Sequence, residues 1–143
     1  NVSLDNAVFP GDAKARAALG YLHGNCGHCH GGPTPRAEQR LGSVIGMTEL
    51  QDAPIMDSAV CKCLQNWRGR ENDFGGFYTL RVSPGHAELS GIIGRMSSRV
   101  RGEQMPPVGT NRVDQTGLAT VRAWIDSLNS SSCDANPPSC PAP

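Results

Sequence analysis

The feature that most restricts the fold of this chain is the run Cys26-Gly27-His28-Cys29-His30. Two cysteines three positions apart, with a histidine directly after the second, form the pattern Cys-x-x-Cys-His, which is the attachment signature of a c-type haem. The two thiols can reach the two vinyl groups of one porphyrin, and the histidine then lies under the iron. The chain is therefore expected to fold around one large, flat cofactor.

Two other interpretations of the motif conflict with the rest of the sequence. A thioredoxin-like dithiol would need a βαβ pattern, and half of a zinc site would need a second Cys-x-x-Cys to supply the remaining ligands. The sequence contains neither pattern. One covalently bound haem c, attached through Cys26 and Cys29 with His30 as an iron ligand, is the cofactor that the sequence predicts.

Composition agrees with a small domain that has a bulky cofactor in its interior. The chain has 143 residues, the size of one ordinary domain. Aromatic residues make up only 5%, against 17 glycines and 11 prolines, so side chains alone would fill a large core poorly. A buried haem would occupy that space.

Charge and cysteine content indicate the compartment and the partners. Net charge is zero and the basic residues are 11 Arg and only 2 Lys, which argues against a nucleic-acid-binding surface. Six cysteines are many for a reducing cytosol. No apolar run approaches the roughly 20 residues that span a bilayer, and Asn1 to Pro10 lacks the features of a signal peptide. We expect a mature, soluble chain without a transmembrane segment, located in the periplasm or secreted.

Hydrophobic periodicity predicts three helices and an all-α fold class. The first begins after the N-cap Asp12 and runs to about Asn25, the second runs from about His86 to Ser97, and the third begins after Asp114 and reaches about Leu128. Their predicted core-facing residues are Ala15, Leu19, Leu22 and Cys26 in the first helix, Leu89, Ile92, Ile93 and Met96 in the second, and Leu118, Val121, Ile125 and Leu128 in the third.

Other parts of the chain are predicted to be irregular. Residues 31–35 form a turn, because they contain two glycines and two prolines. Residues 51–82 have no clean period, with at most a short extended piece from Phe77 to Val82. The tail, residues 129–143, is rich in Ser, Pro and Asn around Cys133 and Cys140 and cannot pack by itself.

Met105 is the predicted sixth ligand of the iron. It lies in the Pro-stiffened loop Met105-Pro106-Pro107 between two helices, where the core does not need its side chain for packing. His86 is the main rival. Met96 is expected to be a core residue of its helix. The remaining methionines and histidines have weaker settings and are expected to be structural or exposed: Met47, Met56, His23 and His28.

The sequence resembles class I bacterial monohaem cytochromes c. The resemblance rests on Tyr21 to His30, Arg95-Met96, Gln104 to Pro107 and Val121 to Ile125, and it spans about residues 12–128. It implies a cytochrome c domain at 12–128, between an N-terminal extension at 1–11 and a tail at 129–143. In that family the N- and C-terminal helices cross, and haem lies between them and the methionine loop. Candidates for the helix crossing are Leu19, Tyr21 and Trp124.

Four cysteines outside the motif are not explained by the resemblance. The stretch from His30 to Met105 is longer than in compact members of the family, and this long irregular insertion contains Cys61 and Cys63. Pairing these two with Cys133 and Cys140 would tie the insertion to the tail. A direct Cys61–Cys63 bridge would close a very small ring, and a zinc site of four thiolates has unfavourable spacing. Two disulfides are predicted.

Electron transfer is the predicted function, without catalytic residues. Members of the resembling family pass one electron through an exposed haem edge, either as free proteins or as modules fused to secreted dehydrogenases. The predicted partners are redox proteins that act as donor and acceptor. The alternative is a haem enzyme or sensor that binds peroxide or a small gas at an opened sixth position. Four arginines flank Met105, either as solvated side chains or as a basic docking surface: Arg95, Arg99, Arg101 and Arg112.

Overall fold

In a computed structural model of the chain, the described residues are Phe9, 11–30, 59–64 and 80–133. They contain three α-helices, which we label α1 (Ala13–His30), α2 (Gly91–Ser97) and α3 (Gln115–Ile125). Two short 3-10 helices cover Ala87–Leu89 and Ser130–Cys133. Within these residues the backbone forms only isolated β-bridges and no strand, so the predicted all-α class is confirmed at this level.

Some predictions fall on other parts of the chain. Residues 31–58, with Met47 and Met56, lie outside the described residues, as do most of the predicted extended piece before Leu80 and the tail beyond Cys133. Among the helices that are described, none is long and apolar enough to cross a membrane.

Helix α1 begins as predicted and ends later than predicted. The Asp12 carboxylate accepts a hydrogen bond of 2.8 Å from the amide of Ala15, which is the expected N-cap interaction. The helix continues to His30 rather than ending near Asn25. The physical reason is that the motif contains no helix-breaking pair of residues, whereas Gly31, Gly32 and Pro33 follow it directly.

Helices α1 and α3 pack against each other and form the centre of the fold. The Asp114 carboxylate caps α3 by accepting a 2.9 Å hydrogen bond from the amide of Gly117. Gly117 lies under Tyr21, and a Cβ atom at this position would overlap the phenol ring. Tyr21 therefore lies at the helix contact, as predicted. The largest side chains of the core come from all three helices: Leu22, Ile93, Trp124 and Ile125.

The predicted second helix is split at Ser90. Its first turn is the 3-10 helix Ala87–Leu89, and α2 begins only at Gly91. The amide of Gly91 donates to the carbonyl of Leu80 at 2.9 Å, so the start of α2 is bonded to a distant part of the chain instead of the preceding turn. The prediction that Leu89 faces the core is wrong, because Leu89 is 42% exposed on the 3-10 turn.

A disulfide joins the insertion to the end of the chain. Cys61 is bonded to Cys133, which lies in the 3-10 helix that follows α3. This confirms a bridge between the insertion and the tail, and it is incompatible with a zinc site made of four thiolates. Cys63 is also in a disulfide. Cys140 lies outside the described residues, so its pairing stays a prediction.

Candidate functional site

The last turn of α1 brings the three motif side chains together. Cys29 and His30 lie three and four positions after Cys26, and residues at these spacings share one face of a helix. Leu19 and Leu22 precede them on the same face and are buried in the core. The apolar face that packs α1 into the protein therefore leads directly to the motif.

The two motif cysteines differ chemically from the other cysteines that the structure describes. Cys26 and Cys29 are free thiols, the first half-buried and the second exposed, whereas Cys61, Cys63 and Cys133 are in disulfides. Burial, and to a lesser extent the nearby Cys29 thiol, raise the pKa of Cys26 to about 11. The two thiols are thus close enough to interact, and they remain available for a covalent bond to a third group.

His30 is the third member of this cluster. Its side chain is half-buried and its Nδ1 atom is enclosed by protein. The histidine lies one helical turn beyond Cys26, at the end of the core-facing stripe. The Nδ1 side of the imidazole therefore faces protein rather than bulk water.

Met105 lies on a separate segment, the loop between α2 and α3. Its amide donates a 2.9 Å hydrogen bond to the carbonyl of Arg95, and its side chain is half-buried. The bond between Met105 and Pro106 is cis. The amide group of Gln104 donates to the carbonyls of Pro106 and Pro107, both at 3.3 Å. The loop is therefore held by polar contacts on both sides of the thioether.

The rival ligands have settings that favour other roles. His86 is exposed, and its Nδ1 atom lies 3.4 Å from the carboxylate of Glu88. The amide of the next residue, Ala87, donates to Asp126 at the C-terminal end of α3, so His86 lies at the opposite end of that helix from Asp114. The ring of His23 packs against Phe9, with ring centres 5.6 Å apart. Met96 is buried in the core, which confirms its prediction as a core residue. Met105 is thus the described thioether that the core does not enclose.

The four arginines near Met105 separate into two pairs. Arg95 is only 8% exposed, and the Arg99 guanidinium donates to the carbonyls of Met96, Ser98 and Arg112. Arg101 and Arg112 have exposed side chains. The predicted basic surface is therefore reduced to Arg101 and Arg112. Two exposed apolar side chains lie in the same segment: Val100 at 58% and Val108 at 78%.

Two interactions near the site were missed by sequence reasoning. One is the hydrogen bond of 3.1 Å from the Tyr21 hydroxyl to Asp114, and the other is the set of contacts from Arg95 to the Met105 loop. The first has no local signal, since 93 positions separate the two residues. A signal for the second was present, because Arg95 is a charged residue directly between Gly94 and the core residue Met96.

The arrangement offers a defined donor set for a cofactor. Two thiols and an imidazole lie on one helix face, and a thioether is held on a separate loop. These groups are the ones that bind a c-type haem covalently and axially. Comparison of the chain with protein-family models, curated proteins and solved structures found no match. The functional interpretation therefore rests on the chemistry of this donor set.

Proposed function

We propose that this chain transfers single electrons through one covalently bound haem c, with His30 and Met105 as the axial ligands. The observation that carries the proposal is the division of the cysteines: both motif thiols are free, while the other described cysteines are in disulfides. The two thiols that stay unoxidised are those at Cys-x-x-Cys-His spacing, which is consistent with their use for the covalent attachment of haem.

The class I cytochrome c fold is part of the same proposal. Support comes from the packing of α1 on α3, where Tyr21 lies against Gly117, and from the position of the motif at the end of α1. In this proposal Cys26, Cys29 and His30 on α1 and Met105 on the loop between α2 and α3 would hold the haem. When bound, the haem iron supplies the one-electron redox couple.

Each site residue has a separate task. The thiols of Cys26 and Cys29 would each add across one vinyl group of the porphyrin, sulfur to one carbon and hydrogen to the other, and so fix the ring to the last turn of α1. His30 would supply an imidazole nitrogen to the iron, and its half-buried position at the end of α1 would restrict the ring. Met105 would supply a thioether, which would raise the reduction potential relative to a second histidine and keep small ligands from the iron. None of these residues acts as a catalytic acid, base or nucleophile.

Partners and compartment follow from the same features. An electron carrier needs a redox donor and an acceptor, and fusion to or association with a dehydrogenase would provide one of them. Val100 and Val108 are exposed beside the charged Arg101 and Arg112, a combination that suits a transient contact with an acidic redox protein. The Cys61–Cys133 disulfide supports a periplasmic or secreted location.

Covalent attachment can be tested directly. Acid–acetone extraction should leave the colour with the polypeptide of the wild-type protein, and the intact mass should exceed that of the chain by one haem. The double variant Cys26→Ala, Cys29→Ala should release any pigment to the solvent, while Cys61→Ser should retain it. Extraction of all pigment from the wild-type protein would refute the proposal.

A second measurement distinguishes the carrier from a haem enzyme or sensor. Absorption spectra of the oxidised and reduced protein are recorded with and without carbon monoxide. A six-coordinate carrier closed by Met105 should show unchanged bands. Rapid formation of a carbon monoxide complex in the wild-type protein would favour the enzyme or sensor instead.

A further inference from the structure

Arg95 contacts the Met105 loop with both its main chain and its side chain. Its carbonyl accepts the 2.9 Å hydrogen bond from the Met105 amide. Its Nη1 atom donates to the carbonyls of Glu103 at 3.1 Å and Gly102 at 3.4 Å. One residue of α2 therefore holds the loop at the thioether position and at the turn just before it.

We propose that Arg95 is a positioning residue that holds Met105 in place as an iron ligand. This inference rests on the proposed function, since it concerns the stability of the ligation by Met105. The charged side chain is 8% exposed, and a guanidinium is buried at this level only when its donors are paired. Two of the carbonyls that pair with this guanidinium belong to Gly102 and Glu103, so the buried charge is bonded directly to the turn that precedes Met105.

The main-chain bond follows from the end of the helix. Helix α2 stops at Ser97, and the last four carbonyls of a helix lack partners within it. The Arg95 carbonyl belongs to this group, and the Met105 amide satisfies it. Ile93 and Met96 anchor α2 in the core. Arg95 therefore links the backbone of Met105 to a helix that is fixed in the core.

The described contacts of the loop around Met105 are mainly hydrogen bonds. Val100 and Val108 are exposed, so apolar burial contributes little to the segment around Met105. Segments with few buried apolar contacts open locally at low free-energy cost, and polar contacts then decide how often they open. Loss of the Arg95 side-chain bonds should raise the population of the open loop, in which Met105 is no longer held at the iron.

The primary test compares Arg95→Gln, Arg95→Lys and the exposed control Lys14→Gln in the holoprotein. Two readouts are used: the rate at which added imidazole replaces the sixth ligand, and hydrogen exchange of the Met105 amide. Hydrogen bonds from a charged donor predict an increase on the order of tenfold to a hundredfold for Arg95→Gln. Arg95→Lys should be intermediate, because lysine is a point charge without the planar fork of arginine. Lys14→Gln, which also removes one positive charge, should match the wild type.

Two glycines of the loop provide an independent test that leaves Arg95 in place. Gly102 and Gly109 both have positive φ, at 97° and 79°, and a Cβ on either would meet no atom within 4 Å. Alanine strains the backbone at both positions. Of the two, Gly102 is the one whose carbonyl accepts a hydrogen bond from the Arg95 side chain. In double-mutant cycles with Arg95→Lys, Gly102→Ala should be non-additive and Gly109→Ala additive.

Three results would overturn the positioning role. One is wild-type imidazole binding and amide exchange in Arg95→Gln, and another is equal coupling of Arg95 to both glycines. The third is a fall in the global melting temperature of Arg95→Lys, followed by circular dichroism, that accounts fully for the faster exchange. Met105→Ala separates this inference from the proposed function: if that variant keeps the spectrum of the wild type, the ligation itself is wrong.

Discussion

The hydroxyl of Tyr21 donates a 3.1 Å hydrogen bond to Oδ2 of Asp114 and so joins α1 to the N-cap of α3. The other carboxylate oxygen accepts from the Gly117 amide at 2.9 Å. One side chain therefore caps a helix and links it to the helix that carries the cysteine motif. Burial and this hydrogen bond raise the pKa of Tyr21 to about 12, whereas the bonds from Gly117 and Tyr21 lower the pKa of Asp114.

Tyr21→Phe should change how stability depends on alkaline pH. The pKa of Tyr21 rises from its usual 10.0 to about 12 on folding, so its contribution is present below pH 10.0 and is lost as the pH rises through about 12. Below pH 10.0 the variant should have a lower free energy of unfolding than the wild type. Between pH 10.0 and about 12 its free energy of unfolding should fall less than that of the wild type. Urea unfolding across this range measures both. Parallel curves for the two proteins would contradict the pKa shift.

Gly117→Ala should destabilise the protein through the contact of α1 with α3. The new Cβ would overlap the ring of Tyr21, and overpacking of this kind costs about 1–3 kcal/mol. Gly24→Ala is the matched control, because Gly24 is an exposed position in α1 whose Cβ would meet no atom within 4 Å. This control should stabilise the protein by about 0.5–1 kcal/mol. Equal effects of the two substitutions in thermal unfolding would contradict the close contact.

Removal of the Cys61–Cys133 disulfide should lower stability without releasing the proposed haem. Cys61→Ser, Cys133→Ser opens a bridge between residues 72 positions apart, and the loss of a native disulfide costs about 2–5 kcal/mol. Urea unfolding under oxidising conditions measures the difference from the wild type. Addition of reductant should abolish that difference.

Peptide mapping tests the connectivity itself. Non-reducing digestion should yield a linked pair of peptides that contain Cys61 and Cys133, together with a bridge from Cys63 to Cys140. Free thiols at Cys61 and Cys133 after denaturation would show the bridge to be absent.

Met105→Ala should open the iron to added ligands. The ferric wild-type protein should show the weak red charge-transfer band of a bond from iron to thioether sulfur, and the variant should lose it. The reduction potential should fall, because the thioether favours the reduced iron. Met96→Leu is the control, since Met96 is a core residue and this change conserves its volume. Loss of the band in the control but not in Met105→Ala would assign the ligand to Met96.

Arg101 and Arg112 should make electron transfer to an acidic partner dependent on salt. Steering by exposed charges weakens at high ionic strength, because the screening length is only about 8 Å at 0.15 M. Arg101→Glu and Arg112→Glu should each slow the reaction at low salt and flatten the dependence. Lys14→Glu changes the net charge equally at an exposed position near the start of α1 and should have little effect. A flat response of the wild-type protein would contradict this docking surface.

Local features were predictable because their signals lie within one or two helical turns. The Cys-x-x-Cys-His spacing is readable from the sequence, although the continuation of α1 through the motif to His30 was not predicted. Asp12 and Asp114 are recognisable as N-caps from their position before an apolar stripe. The buried faces of α1 and α3 follow from the 3.6-residue period.

Contacts between distant segments were decided by the tertiary structure. Ser90 interrupts the second helix because the amide of Gly91 bonds to Leu80 across a turn of the chain, and no pattern near Ser90 encodes that partner. The choice of Cys133 as the partner of Cys61 required the end of α3 to lie beside the insertion. The sequence by itself therefore determined the Cys-x-x-Cys-His spacing and the helix that leads into it, because these features are local. Only the packed structure decided which cysteines pair and how Arg95 holds the Met105 loop, because those contacts depend on where separate elements meet.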